Sequence, residues 1–111
     1  MNKVLSYFGI AKRGGLLIAG TPNVCDTLRR GGRYPVFAAS DISVTTEKKL
    51  SDKCAFYGAE LIKLSASAEE LSVSIGRSGA TAAVYINDSR LSLSAKAAID
   101  SAGADFAAPE S

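Results

Sequence analysis

Four short apolar runs punctuate this chain: Leu16 to Ala19, Tyr34 to Ala39, Ala59 to Leu64 and Thr81 to Ile86. Each is too short for a core helix, and apolar runs of about four to eight residues between glycine, proline or polar turns read as buried strands. The segments between them carry helical spacing instead. Residues 2 to 13 place Val4, Leu5, Phe8 and Ala11 on one face, with Lys12 and Arg13 in the last turn and Gly14-Gly15 as the stop. A second helix runs from Pro22 to about Arg30 and buries Val24, Cys25 and Leu28. A third begins at Thr45 or Thr46, turns Leu50, Cys54 and Tyr57 inward and closes at Gly58. Ser67 and Glu70 form a capping box for a fourth helix, buried through Leu71 and Ile75 and ended by Gly76. Asn87-Asp88-Ser89 starts a last helix through Leu91, Ala95, Ala98 and Ala102, with Gly103 beyond it. Alternation of this kind predicts an α/β domain over residues 1–103, a largely parallel four-stranded sheet between helix layers, with a frayed tail over 104–111. The run Thr81 to Ile86 is the most apolar and belongs in mid-sheet. Pro35 belongs at a strand start or on an unpaired edge.

A chain of 111 residues with 47% hydrophobic and 22% charged residues can bury one core without disulfides or metal. No apolar run approaches bilayer length, and the first residues lack the apolar core of a signal peptide. The expected setting is the cytoplasm, with no membrane partner. Catalysis finds little support. The chain has no histidine, and its two cysteines, Cys25 and Cys54, lack CxxC spacing, which argues against a metal site or histidine chemistry. Both cysteines read as small buried hydrophobes. There is no Walker lysine, Gly76-Arg77-Ser78-Gly79 is only a fragment of a glycine fingerprint, Glu69-Glu70 belongs to a helix cap, and Asp41 is a lone turn residue. The expectation is a protein that is not an enzyme and needs no cofactor or metal.

Charge distribution is more informative than the net charge of +2. Residues 1–35 contain Lys3, Lys12, Arg13, Arg29, Arg30 and Arg33 against one acid, Asp26. Within that third, the strand from Leu16 turns at Gly20 into a helix, with Thr21 as N-cap and Pro22 at the first helical position. The free N–H groups of such a terminus suit phosphate, and Lys12 and Arg13 are expected to lie beside it. A polyanion is the natural partner, and RNA fits better than duplex DNA. No helix shows the basic face needed for a major groove, and the strands are too apolar for a stacking platform. What remains is a mouth of loops, the Gly20 turn with Asn23 and the Arg77 loop, suited to irregular RNA.

Several stretches resemble the ribosomal protein L-seven-Ae and L-thirty-e superfamily, most closely its bacterial YlxQ-like branch. They are Ile10-Ala11-Lys12-Arg13-Gly14-Gly15, Ala19-Gly20, Ala39-Ser40-Asp41, Thr46 to Cys54, Leu71 to Gly76 and Ala82-Ala83-Val84. The resemblance spans roughly residues 3 to 100. It implies an α-β-α sandwich around a four-stranded mixed sheet, no enzymatic activity, and recognition of kink-turn RNA. Carried onto this chain, the RNA-contacting positions become Gly20, Thr21, Pro22, Asn23 and Asp26, with Arg77, Ser78 and Gly79 in the second loop. Asp26 stands where the family usually has a lysine. The implied partner is structured RNA, ribosomal RNA among the candidates. The alternative is a protein-interaction adaptor on the same scaffold with kink-turn recognition lost, and the sequence leaves the oligomeric state open.

Overall fold

The computed structural model describes residues 3–110, with side chains described for residues 4–99. The elements follow as α1 (Lys3–Arg13), β1 (Leu17–Ala19), α2 (Thr21–Arg29), β2 (Val36–Ala38), α3 (Val44–Tyr57), β3 (Leu61–Lys63), α4 (Ala68–Ser74), β4 (Ala83–Ile86) and α5 (Ser89–Glu110). The four strands form one sheet in the order β1-β4-β2-β3. Only β2 and β3 pair in parallel; β4 runs antiparallel to both β1 and β2. The sheet is mixed, not largely parallel. The reason lies in α4 and the loop behind it, which leave and return to one end of the sheet. The Thr81 amide donates to the Ala68 carbonyl at 3.1 Å, so β4 enters beside the start of α4, where β3 came out, and must run back the other way.

Alternation along the two central strands divides the interior. Phe37 on β2 and Val84 and Ile86 on β4 face one cluster with Phe8, Leu71 and Ala95, which come from α1, α4 and α5. Val36 and Ala38, with Ala83 and Tyr85, face the other with Val24, Leu28, Leu50 and Cys54 from α2 and α3. Successive residues of a strand point to opposite faces, so two fully buried central strands yield one core on each side. The first core is centred on Phe8 against Phe37, rings 5.1 Å apart and inclined at 59°. Burying one such aromatic side chain contributes about 1.5–3 kcal/mol. The result is the α-β-α sandwich, with β4 in mid-sheet and all four of its residues buried, as its composition predicts. Pro35 immediately precedes β2, at the strand's start.

Other expectations need adjustment. β1 is half-buried, because it is an edge strand paired on one side only. The cap of α3 is Ser43, whose Oγ accepts from the Thr46 amide, so the helix starts before Thr45. Gly58 closes α3 in the left-handed conformation, φ 76°. The capping box of Ser67 and Glu70 is formed as predicted. At α5, Asp88 Oδ2 accepts from the Leu91 amide at 2.9 Å. This helix continues to Glu110, past Gly103; the frayed tail expected over 104–111 falls outside the residues whose side chains are described. Among the described residues, no helix is long and apolar enough to cross a membrane.

Candidate nucleic-acid interface

The turn between β1 and α2 is built on Gly20. Its amide donates to the Ala83 carbonyl at 2.9 Å, continuing the β1–β4 ladder, while its carbonyl accepts from Val24 as the first bond of α2. One residue must therefore end a strand and begin a helix, and it does so at φ 97°, where a side chain would be strained. Gly20 is the N-cap and Thr21 the first helical residue, contrary to the expected Thr21 cap. No side chain caps the helix. Pro22 has no N–H to offer, so the backbone donors of the terminus are those of Thr21 and Asn23. Asn23 is exposed, and its Nδ2 donates to the Ala19 carbonyl at 3.0 Å. That bond fixes the amide and leaves its oxygen as an acceptor toward solvent.

The second predicted loop lies at the same end of the sheet. It is pinned at both ends: the Arg77 amide donates to the Ser72 carbonyl at 2.9 Å, and Thr81 is tied to Ala68. Beneath it, the hydroxyls of Ser72 and Thr81 share a buried hydrogen bond of 2.6 Å that locks α4 to the entry of β4. Arg77, Ser78 and Gly79 project from this anchored base and are exposed, with Gly79 at φ 82°. Ala82 follows, its carbonyl accepting from the Ala39 amide beside the Ala83–Gly20 bond. The Gly20 turn and the 77–79 loop thus flank one end of β4. Asp41 is there too, its Oδ1 accepting from the Ala68 amide at 2.8 Å, a structural use that agrees with a turn residue.

Lys12 and Arg13 are elsewhere, which corrects their expected place beside the terminus of α2. They end α1, on the opposite face of the sheet from α2, at the end where the Leu16 carbonyl accepts from Asn87. From Leu16 to Gly20 is four strand residues, about 13 Å. The Arg13 guanidinium folds back along α1 toward Gly9. Closeness in sequence did not survive the reversal at Gly14-Gly15.

Cations near the α2 terminus come from other residues. Asp26 forms ion pairs with Arg29 Nη2 at 2.5 Å and with Arg30 Nε at 3.0 Å. The Arg29 hydrogen bond, with the charges of both arginines, holds the Asp26 carboxyl below the usual carboxylate range. Asp26 therefore sits in a trio with net positive charge and fixes two guanidinium groups along α2. Between α2 and α3 a groove of about 310 Å³ is lined by Pro22, Asp26 and Arg29 and, across it, Lys49 and Lys53. Lys49 and Lys53 stand one helical turn apart on α3, both exposed, with no acidic partner among the described residues, whereas Lys48 is paired with Asp52 and Lys63 with Glu47. The sequence alone does not single these lysines out, because Asp52 stands three residues after Lys49 and only the structure gives that acid to Lys48. Cys25 lines the same groove and is half-buried, not a core residue. Cys54 is buried, and desolvation pushes its thiol up to about 11.

No protein-family model matches the chain. It is 34% identical over 68 residues to the RNA-binding protein YlxQ of Enterococcus faecium, a match that covers 61% of this chain and 66% of that relative, just under two thirds of its length. Its structure superposes on that of a protein of unknown function from Bacillus halodurans with TM-score 0.82 and 29% identity, covering 90% of this chain and 99% of the other. The Giardia lamblia 15.5kD RNA binding protein shares the fold at TM-score 0.73 and 15% identity, over 87% and 84% of the two chains. Sequence and architecture agree: over the matched residues the chain is a homologue of the RNA-binding protein YlxQ, and its fold is the one seen in the Giardia 15.5kD RNA binding protein.

Proposed function

We propose that this chain is a non-catalytic binder of structured RNA of the kink-turn class, acting in the cytoplasm as part of a ribonucleoprotein, ribosomal or otherwise. The observation that carries the reading is the α2 terminus: an N-cap glycine with no side-chain cap, its outward N–H groups beside the anchored 77–79 loop. In a kink-turn, bases are non-canonically paired and exposed at their edges, within reach of short polar groups and backbone amides. Asn23, Thr21, Ser78 and the loop backbone are of that kind. The groove next to them supplies Arg29, Lys49 and Lys53 along a path a phosphate backbone can follow. Homology to a protein named for RNA binding supports RNA over the adaptor reading.

The departure at Asp26 modifies the reading without removing it. The family's lysine is missing at that position, and Arg29, held by Asp26, places a cation in the adjoining groove. The test is fluorescence anisotropy with a kink-turn RNA and a straight duplex of equal length, over a salt series. Selective binding of the kink-turn, retained as salt rises, supports the proposal. Equal affinities that collapse together with salt would reduce the interaction to nonspecific charge.

A further inference from the structure

At the end of the sheet opposite Gly20, a cleft of about 500 Å³ opens beside the α2–β2 connection. Arg30 and Arg33 line it, with Asn87, Tyr85 and the Gly31-Gly32 backbone, and among the described residues no carboxylate does. Arg30 uses its Nε on Asp26 and keeps its Nη groups; Arg33 uses Nη1 on the Gly32 carbonyl at 2.9 Å and keeps its other donors. Tyr85 is only 1% exposed, yet its hydroxyl reaches the cleft wall. The hydroxyl accepts from the Tyr34 amide at 3.1 Å, and a Cβ on Gly32 would come within 2.7 Å of it. Accepting that bond leaves the phenol's own proton available to donate into the cleft, with no acceptor for it among the described residues. Tyr85 is held in place by stacking on Tyr34, centroids 6.0 Å apart.

The cleft is therefore rich in donors and positive charge, with small residues admitting close approach. A carboxylate would occupy one guanidinium fork and leave the rest idle. A phosphate ester offers enough acceptor oxygens for two guanidinium groups, the Tyr85 proton and the Asn87 amide together. We propose that the Arg30–Arg33–Tyr85–Asn87 cleft is a second binding site, specific for a phosphate ester. That phosphate can come from a free nucleotide, or from an RNA strand that continues from the Gly20 end along α2, a helix about 14 Å long. The site stands independently of the kink-turn reading, since it shares no residue with the Gly20 turn or the 77–79 loop.

The experiment is an NMR titration of the full chain, isotope-labelled, with AMP, with adenosine and with the kink-turn RNA, on the native protein and on Arg33→Gln. Saturable shifts confined to Gly31, Gly32, Arg33, Tyr34 and Asn87 are expected with AMP and not with adenosine. Arg33→Gln should weaken AMP binding at least about tenfold, the loss of one charge-assisted hydrogen bond. Tyr85→Phe should weaken it as well, and because Tyr34 then loses its acceptor, Arg33→Gln and Asn87→Ala serve as variants that leave the core intact. If RNA is the source, Arg33→Gln also flattens the slope of log RNA affinity against log salt by roughly 0.7 to 0.9. A nucleotide source leaves RNA affinity unchanged and AMP binding sensitive. Absence of cleft shifts with both AMP and RNA, or equal shifts with adenosine, overturns the proposal, whether or not the Gly20 end binds a kink-turn.

Discussion

At the Gly20 end of the sheet the groups turned to solvent are backbone amides, the Asn23 side chain and a glycine-bearing loop; at the Asn87 end they are guanidinium groups around a buried phenol. Both ends are reached by the same helix, α2, whose first turn belongs to one and whose last residues lead into the other. The difference separates two jobs that nucleic-acid binders must do. Short, fixed polar groups discriminate base edges, whereas cations on the phosphate backbone supply affinity without reading sequence. The groove of Arg29, Lys49 and Lys53 lies on the flank of the first end and belongs with the second by its chemistry. Selectivity should thus be damaged at Gly20 and the loop, and salt dependence at the groove.

The largest effect is expected from loosening the loop beneath the first end. Thr81→Val removes one partner of the buried Ser72–Thr81 hydrogen bond and leaves the Ser72 hydroxyl unpaired, at a cost of about 1–3 kcal/mol in stability. Urea unfolding measures that cost. The same variant should lose preference for a kink-turn over a duplex while retaining its salt slope. If selectivity survives, the loop does not contribute to the first end.

Lys49→Gln with Lys53→Gln tests the flank. The pair should leave the kink-turn preference intact and lower affinity for both RNAs, flattening the salt slope by roughly 0.7 to 0.9 for each phosphate that is no longer neutralised. Lys12→Ala with Arg13→Ala, on the other face, should change far less. The reverse ranking would put the phosphate path across α1.

A smaller effect belongs to Asp26. Its folded pKa lies below the ordinary 3.8, so the stability it contributes is complete above the ordinary carboxylate range and is lost as pH falls through the lowered value. Arg29→Gln should move its titration, followed by carbon-detected NMR, upward toward 3.8. Asp26→Lys should raise RNA affinity by removing a negative charge from the groove, although it also frees Arg29 and Arg30 from their fixed positions. No upward movement in Arg29→Gln would mean the trio does not hold in solution.

The smallest effect concerns the cysteines. Cys54, raised to about 11 by burial, should resist iodoacetamide at pH 8, with half-buried Cys25 the faster to label. Since the raised thiol favours its neutral form in the fold, stability should decline as pH climbs from 9.0 toward 11.

What was legible in the sequence was local. Gly58, the Ser67–Glu70 box and the Gly20 turn announce themselves within a few residues, because caps and left-handed positions are decided by nearby sterics and hydrogen bonds. The apolar runs gave the strands for the same reason. Strand direction was not legible. The antiparallel course of β4 depends on Thr81 returning to Ala68, a pairing between α4 and the entry of β4 that apolar periodicity does not encode. The mixed sheet came only from family resemblance. Within the candidate site, the Gly20 turn and the Arg77 loop could be named, but not the partners that tertiary packing brings to them. Lys49 and Lys53 approach α2 through the packing of α3, and Lys12 and Arg13 are carried away by the turn into β1. Charge clustering along a chain says little about which face the charges share.

The most direct test of the central claim is the amide spectrum of the native chain titrated with a kink-turn RNA and with a straight duplex of equal length. The first perturbations should fall on Thr21, Asn23, Arg77, Ser78 and Gly79 with the kink-turn, and these residues should be silent with the duplex. Perturbations confined to other residues, or identical with both RNAs, would contradict recognition at the Gly20 end.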